Sequence, residues 1–260
     1  MSSDNLGEVE VEEDVDLSLY YYLRYFEMAW SFKPPVFIVS TKAYLWGKRA
    51  LELAKIVEEV SRDSIVNFIF IPQLVDLRMI AEEVDLPIFA PNIDPIRPGR
   101  GFGHDLPEAV KEAGALGVMI NHFERKKTLS EIDGCLKRAR EVGLYTIICC
   151  DTPRSAAALA KLKPDAILPE PPSLIGSMKS VSKEMKEFAS KSIKLVKEVD
   201  EDILVLLGAG ITCGEDAAEV LRLGADGSGA SRAICESKNP KALLDDISEK
   251  MEEAWSQVKK

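Results

Sequence analysis

The stretch VFIVSTKAYLWGKRALELAKIVEEVSRDSIVNFIFI, residues 36–71, decides the fold. It opens on a β-branched and aromatic run, Val36 to Thr41, continues through a segment with apolar residues at the 3.6 period, Gly47 to Arg62, and closes on a second run, Val66 to Ile71. A short strand, an amphipathic helix and another short strand form the repeating unit of a parallel sheet.

The alternation continues to the C-terminus. Further strands are predicted at Leu86 to Ala90, Leu116 to Ile120, Leu144 to Cys149, Ala166 to Pro169, Ile203 to Leu207 and Asp226 to Ala230. Helices are predicted at Leu74 to Val84, Pro107 to Ala113, Ser130 to Val142, Arg154 to Leu162, Ser182 to Val199, Cys213 to Leu223 and Pro240 to Val258. Gly114, Gly143 and Gly224 stand where a helix ends in a left-handed residue. Eight units with short returns predict an α/β fold of the closed (β/α)8 type rather than an open doubly wound sheet, and 260 residues suit one such domain.

Upstream the character changes. Residues 4–16 hold seven acidic side chains and no basic one, the composition of a solvated arm. Leu17 to Phe32 is aromatic, with Tyr20, Tyr21, Tyr22, Tyr25, Phe26, Trp30 and Phe32; Leu19, Tyr22, Phe26 and Trp30 fall near helical spacing and predict a short helix over some barrel surface. The expected division is an acidic and aromatic extension, 1–33, and a barrel, 34–260.

The net charge of −10 argues against nucleic acid or an anionic membrane as partner, while a local cleft can still hold a small anion. Five cysteines without close CxxC spacing read as reduced thiols, not a zinc site or disulfide framework, and the Cys149-Cys150 pair reads as buried packing. No apolar run approaches the roughly 18 residues of a membrane span, and the N-terminus is acidic where a signal peptide is basic. A cytoplasmic protein with no cofactor and no metal is expected.

In such a barrel the residues just past the strands share one C-terminal face. That face would gather Ser40 and Lys42, Asn92, Asn121, His122 and Glu124, Glu170, Gly208 and Gly210, and Ser231 and Arg232. A histidine there can polarise or protonate an oxygen near neutral pH, although a structural histidine fits equally well. Glu170, between Pro169 and Pro171-Pro172, would be held by a stiff hinge; a surface carboxylate on a rigid turn is the equal alternative. Two glycine turns, Gly208-Ala209-Gly210 and Gly227-Ser228-Gly229, follow or end the last two strands, the usual place for phosphate in this architecture. His104, in the glycine-rich loop Pro98 to His104, is assigned no chemistry.

These residues, together with GKRALELAK (47–55), PQLVDLRMIA (72–81), LPEAVKEAG (106–114), Leu174-Ile175-Gly176 and Gly214-Glu215-Asp216, resemble the triosephosphate isomerase family, in particular its short archaeal branch, over nearly the whole barrel. The resemblance implies a TIM barrel that interconverts dihydroxyacetone phosphate and glyceraldehyde 3-phosphate through an enediolate, in glycolysis and gluconeogenesis. It implies Glu170 as base, neutral His122 as electrophile, Lys42 as stabiliser of developing charge, Glu124 as partner of Lys42, and Gly176, Gly208, Gly210 and the end of strand 8 as phosphate donors. It also implies a homo-oligomer, dimer or tetramer, in which the strand 3 loop reaches a neighbour.

The departures are local. Ser40 stands where the family has asparagine, and Phe123 where it has serine; the phenyl ring is expected to crowd the base. Ser177 and Met178 replace Thr-Gly in the lid, removing a glycine from its hinge. Ser231-Arg232-Ala233 replaces Ala-Ser-Gly, and Arg232 would either clamp phosphate or fill its pocket. A second function class stays open: a paralogue that kept the barrel, lost efficient isomerisation, and binds a phosphometabolite or regulates.

Overall fold

The computed structural model describes residues 31–172 and 183–258. Eight parallel strands follow one another: β1 (Val36–Ser40), β2 (Asn67–Ile71), β3 (Phe89–Ala90), β4 (Gly117–Ile120), β5 (Tyr145–Cys150), β6 (Ala166–Pro169), β7 (Leu204–Leu207) and β8 (Gly227–Ala230). The sheet order is β2-β1-β8-β7-β6-β5-β4-β3. A parallel bridge between Phe70 and Ile88 joins its two ends, so the predicted (β/α)8 barrel closes. The closing pair is thin: β3 is two residues long, and beside it the Phe70 amide donates to the Pro87 carbonyl at 3.0 Å.

Between the strands lie α1 (Gly47–Ser61), a 3-10 turn (Leu74–Asp76) running into α2 (Leu77–Glu83), α3 (Pro107–Glu112), α4 (Leu129–Glu141), α5 (Pro153–Ala160), α6 (Lys183–Lys197), α7 (Gly214–Arg222), the short α8 (Arg232–Cys235) and α9 (Pro240–Val258). Local chemistry explains their ends. Thr128 with Glu131, and Thr152 with Ser155, form capping boxes at the starts of α4 and α5, while Pro107 and Pro153 occupy first-turn positions whose N–H groups are orphans anyway. Gly114, Gly143 and Gly224 take φ of 98°, 70° and 96° after α3, α4 and α7, as their sequence position predicts. The eight predicted helices are present within a few residues; α8 is an addition that the sequence pattern does not predict, because four residues carry no period.

Both faces of every strand are covered, which explains their continuous apolar character. Phe37 and Phe68 are register partners in β1 and β2 and meet edge to face at 5.8 Å. β8 reads Gly-Ser-Gly-Ala because β1 approaches closely: a Cβ on Gly229 would stand 2.9 Å from the Ile38 carbonyl oxygen. At the opposite end from the site, Phe32 packs edge-on against Phe89 and Tyr145, the first residues of β3 and β5. The predicted aromatic helix, apart from Ser31 and Phe32, lies outside the described residues. Cys149 and Cys150 are buried thiols in β5, and among the described residues no helix is long and apolar enough to cross a membrane.

Candidate active site

A cavity of about 550 Å³ opens at the C-terminal ends of the strands. Ser40, Lys42, Asn92, His122, Glu124, Glu170, Gly208, Gly210, Ser231 and Arg232 all line it. The barrel thus brings together residues up to 192 positions apart, as Ser40 and Arg232 show. Gly176, Ser177 and Met178 lie outside the described residues.

Lys42 leaves β1 with a φ of 43°, a left-handed conformation that a long side chain rarely adopts. Contacts on both its peptide units hold it there. Its N–H donates to Ser40 Oγ at 3.3 Å, and its carbonyl accepts from Gln73 Nε2. Ser40 therefore serves the backbone of Lys42 as well as lining the cavity. Held this way, the Lys42 ammonium meets Glu124 Oε1 at 3.0 Å. Glu124 is more than half exposed, so solvent screens the pair and its value is orientation more than stability.

Asn121 ends β4 with a φ of 61°, which asparagine tolerates better than other side chains with a Cβ. Its Nδ2 donates to the Cys149 carbonyl at 2.9 Å, and the turn aims His122 into the cavity. His122 Nδ1 lies 3.2 Å from the backbone N–H of Glu124, which donates to it. The neutral ring then carries its proton on Nε2, facing the cavity. Burial, reinforced by the Lys42 charge, pushes the imidazole pKa down to about 4. A neutral imidazole is the stable form across the physiological range.

Glu170 follows β6 with its N–H bonded to the Cys150 carbonyl at 2.8 Å. Its carboxylate is about one-tenth exposed, and Oε2 lies 3.8 Å from His122 Nε2. That distance exceeds a hydrogen bond, and a neutral histidine makes no ion pair there. Burial raises the Glu170 pKa to about 7, with Lys42 pulling the other way. Gly208 makes room for the carboxylate: a Cβ at that position would lie 2.9 Å from Glu170 Oε1.

Beyond these groups the cavity is edged by the Gly208-Ala209-Gly210 turn and by the end of β8 from Gly229 to Ser231; Gly227-Ser228-Gly229, expected as a second glycine turn, is ladder-bonded strand whose glycines admit β1. Gly210 has a φ of 81°, and Asp216 holds the turn by accepting from the N–H and hydroxyl of Thr212 at 2.9 and 2.7 Å. Arg232 is half exposed at the mouth, and its Nε donates to Glu236 Oε2 at 2.8 Å. Its charge stays at the rim. Two expectations change here. Phe123 is turned outward, nearly half exposed beside the Lys126 ammonium at 5.7 Å, and is not part of the cavity wall; the loop turns between His122 and Glu124, so the ring does not crowd the base. Gln73, absent from the sequence-based site, grips Lys42; it stands two residues past β2, where the strand-end rule that selected the others would also have found it.

Chemically, the cavity offers a strengthened base, a neutral N–H donor and a fixed cation around one space, the equipment for moving a proton beside a carbonyl. Among the described residues no cluster of histidine, cysteine and carboxylate side chains fits a metal ion. The family model for triosephosphate isomerase matches residues 35–249. The chain belongs to the triosephosphate isomerase family. It is 41% identical over 217 residues to the triosephosphate isomerase of Saccharolobus solfataricus, covering 83% of this chain and 95% of that protein. Against the triosephosphate isomerases of Methanocaldococcus jannaschii and Methanosarcina mazei, identity is 41% over 201 and 215 residues, covering 77% and 82% of this chain and 92% and 97% of theirs. The archaeal branch indicated by the sequence motifs is the one these triosephosphate isomerases represent.

The burial of Glu170 predicts a pH-dependent stability difference. A carboxyl whose native pKa is raised favours folding below its unfolded value of 4.5 and loses that advantage as pH rises through about 7. His122 contributes the opposite dependence, present above 6.5 and lost as pH falls towards about 4, and it is common to both proteins compared. Glu170→Gln should match wild type in urea unfolding near pH 4.5 and exceed it above pH 7, by on the order of 3 kcal/mol. Equal stabilities at both pH values would contradict the burial argument.

Proposed function

We propose that this protein is a triosephosphate isomerase, interconverting dihydroxyacetone phosphate and D-glyceraldehyde 3-phosphate, a step shared by glycolysis and gluconeogenesis. The observation that carries it is the placement of Glu170, His122 and Lys42 on one cavity, with the base 3.8 Å from the imidazole. A glutamate base paired with a neutral histidine is the known arrangement of triosephosphate isomerase itself, so these roles are carried over from the family.

Glu170 removes the proton from the carbon next to the substrate carbonyl. His122 Nε2–H and the Lys42 ammonium face the carbonyl oxygen and stabilise the enediolate charge as it develops. His122 then moves a proton between the two oxygens, and Glu170 returns its proton to the neighbouring carbon. Glu124 holds Lys42 in place. Gly208, Gly210 and Ser231 take the phosphate, Arg232 adds charge at the rim, and Gly176 joins from residues 173–182. No cofactor or metal takes part.

A homo-oligomer belongs to the same proposal. Trp46, Val75 and Phe102 are large apolar side chains exposed on the loops after β1, β2 and β3, which succeed one another around the barrel. Large apolar side chains exposed on successive loops support a second copy as their cover. The five free thiols support a reducing, cytoplasmic location. Nucleic acid and membrane are not partners.

Two measurements test the proposal. Purified protein should isomerise glyceraldehyde 3-phosphate, Glu170→Gln should lower kcat about 10²- to 10⁴-fold, and kcat/KM should climb from acid and level off above about pH 7. Equal, slow rates in wild type and variant would end the isomerase reading. The mass of the full chain in solution should correspond to two or four copies; a monomer would remove the oligomer from the proposal.

A further inference from the structure

Beside His122 and Glu124 lies a polar cluster that the chemistry does not use, centred on the buried Asp94–Lys127 pair and reaching the cavity wall through Asn92, Asp105 and Arg125. It joins the loop after β3 to the loop after β4. The Asp94 carboxylate, about one-tenth exposed, accepts from Lys127 Nζ at 2.8 Å and from the Asp105 N–H at 3.0 Å. His104 Nδ1 at 3.2 Å, Asn92 Nδ2 at 3.5 Å and Arg125 Nη2 at 4.0 Å face the same carboxylate. Arg125 also reaches Asp105 Oδ2 at 3.4 Å, and Asn92 donates to that oxygen at 2.6 Å. Burial works to raise the Asp94 pKa, yet Lys127 and the Asp105 amide hold it well below the ordinary carboxylate range.

Lys127 is the link to the site. Its side chain is only 5% exposed, so its charge is compensated by Asp94 and hardly at all by water. Its backbone N–H donates to Asn121 Oδ1 at 2.9 Å, and Asn121 is itself tied to the Cys149 carbonyl of β5. The loop is therefore pinned at both ends. Asn121 holds the start and Lys127 the finish, a further bond from the Arg125 N–H to the His122 carbonyl at 2.8 Å braces the middle, and His122 and Glu124 ride between. Without the Asp94 charge, the finish of the loop loses its side-chain anchor and keeps the backbone bond to Asn121, while β4 and β5 keep their ladder.

We infer that Asp94 is a positioning residue for this site: through the buried pair with Lys127 it fixes the loop that carries His122 and Glu124. The inference rests on the isomerase reading only for its kinetic consequence. It also gives a role to His104, which the sequence leaves without one. A cluster that merely supported stability would shift the melting temperature and leave the folded site unchanged. A positioning cluster changes the surroundings of His122 in the folded protein.

The test uses Asp94→Asn in the full chain, which keeps the shape and removes the charge. The chain has two histidines, so imidazole ¹⁵N spectra are simple, and a His104→Gln spectrum assigns the pair. In folded Asp94→Asn, kcat should fall about 10- to 100-fold with KM moving far less, since small misplacements of a catalytic group act on the chemical step. The His122 titration should move up from about 4 towards its ordinary value as water reaches the loosened loop; the charged groups facing the ring are Lys42, Glu170 and Asp151, with Glu124 and Lys126 on the loop itself. If Asp94→Asn does not fold, Asp94→Leu/Lys127→Met replaces the ion pair with apolar side chains and carries the same two expectations. A folded variant with wild-type kcat and wild-type His122 titration overturns the inference. If the wild-type protein lacks isomerase activity, the functional reading fails alone, and the His122 spectrum still decides whether Asp94 positions the loop.

Discussion

Water is withheld from the Glu170 carboxylate, and much of the C-terminal face is arranged around that fact. Burial lifts its pKa to about 7, which makes it a stronger base than a solvated glutamate while leaving it substantially ionised at neutral pH. The fold sustains this with specific concessions. Position 208 is glycine because a Cβ would press on Oε1, and the backbone of Glu170 is bonded to β5. The same dry surroundings keep His122 neutral, so base and electrophile do not neutralise each other across 3.8 Å. A charged imidazole at that distance would pull the Glu170 pKa back down.

Lys42 supplies the opposing charge, and its position is costly in a second way. A left-handed lysine is strained, and the strain is held at one end of the residue by Ser40 and at the other by Gln73. The serine is shorter than the asparagine it replaces but still reaches the Lys42 N–H. Phe123 points outward, and Arg232 is held at the rim by Glu236.

Most of the barrel was legible because it depends on local patterns. Strands buried on both faces must be apolar, amphipathic helices must repeat near 3.6, and helix ends need glycine or a cap; each of these is written in neighbouring residues. The strand-end rule then brought Lys42, His122, Glu124 and Glu170 together without any contact being known. What escaped depends on pairs distant in sequence or on elements too short to have a period. Asp94 and Lys127 lie 33 residues apart and neither sits in a recognisable motif, so their union needed the structure. The outward turn of Phe123 depends on how the His122–Arg125 turn is wound, and α8 is a single turn following a glycine-rich strand. β3 shrank to two residues because Pro87 lacks an N–H for a ladder and Ile88 contributes only a bridge.

Burial sets the protonation of Glu170, and the carboxyl itself can be watched as it titrates. Infrared difference spectra of ¹³C-glutamate-labelled protein, with Glu170→Gln as the blank, report the acid and carboxylate bands of this one side chain. The protonated band should disappear with a midpoint near pH 7. A midpoint near the ordinary glutamate value, about 4.3, would mean that Glu170 is solvated and that burial does not set its protonation.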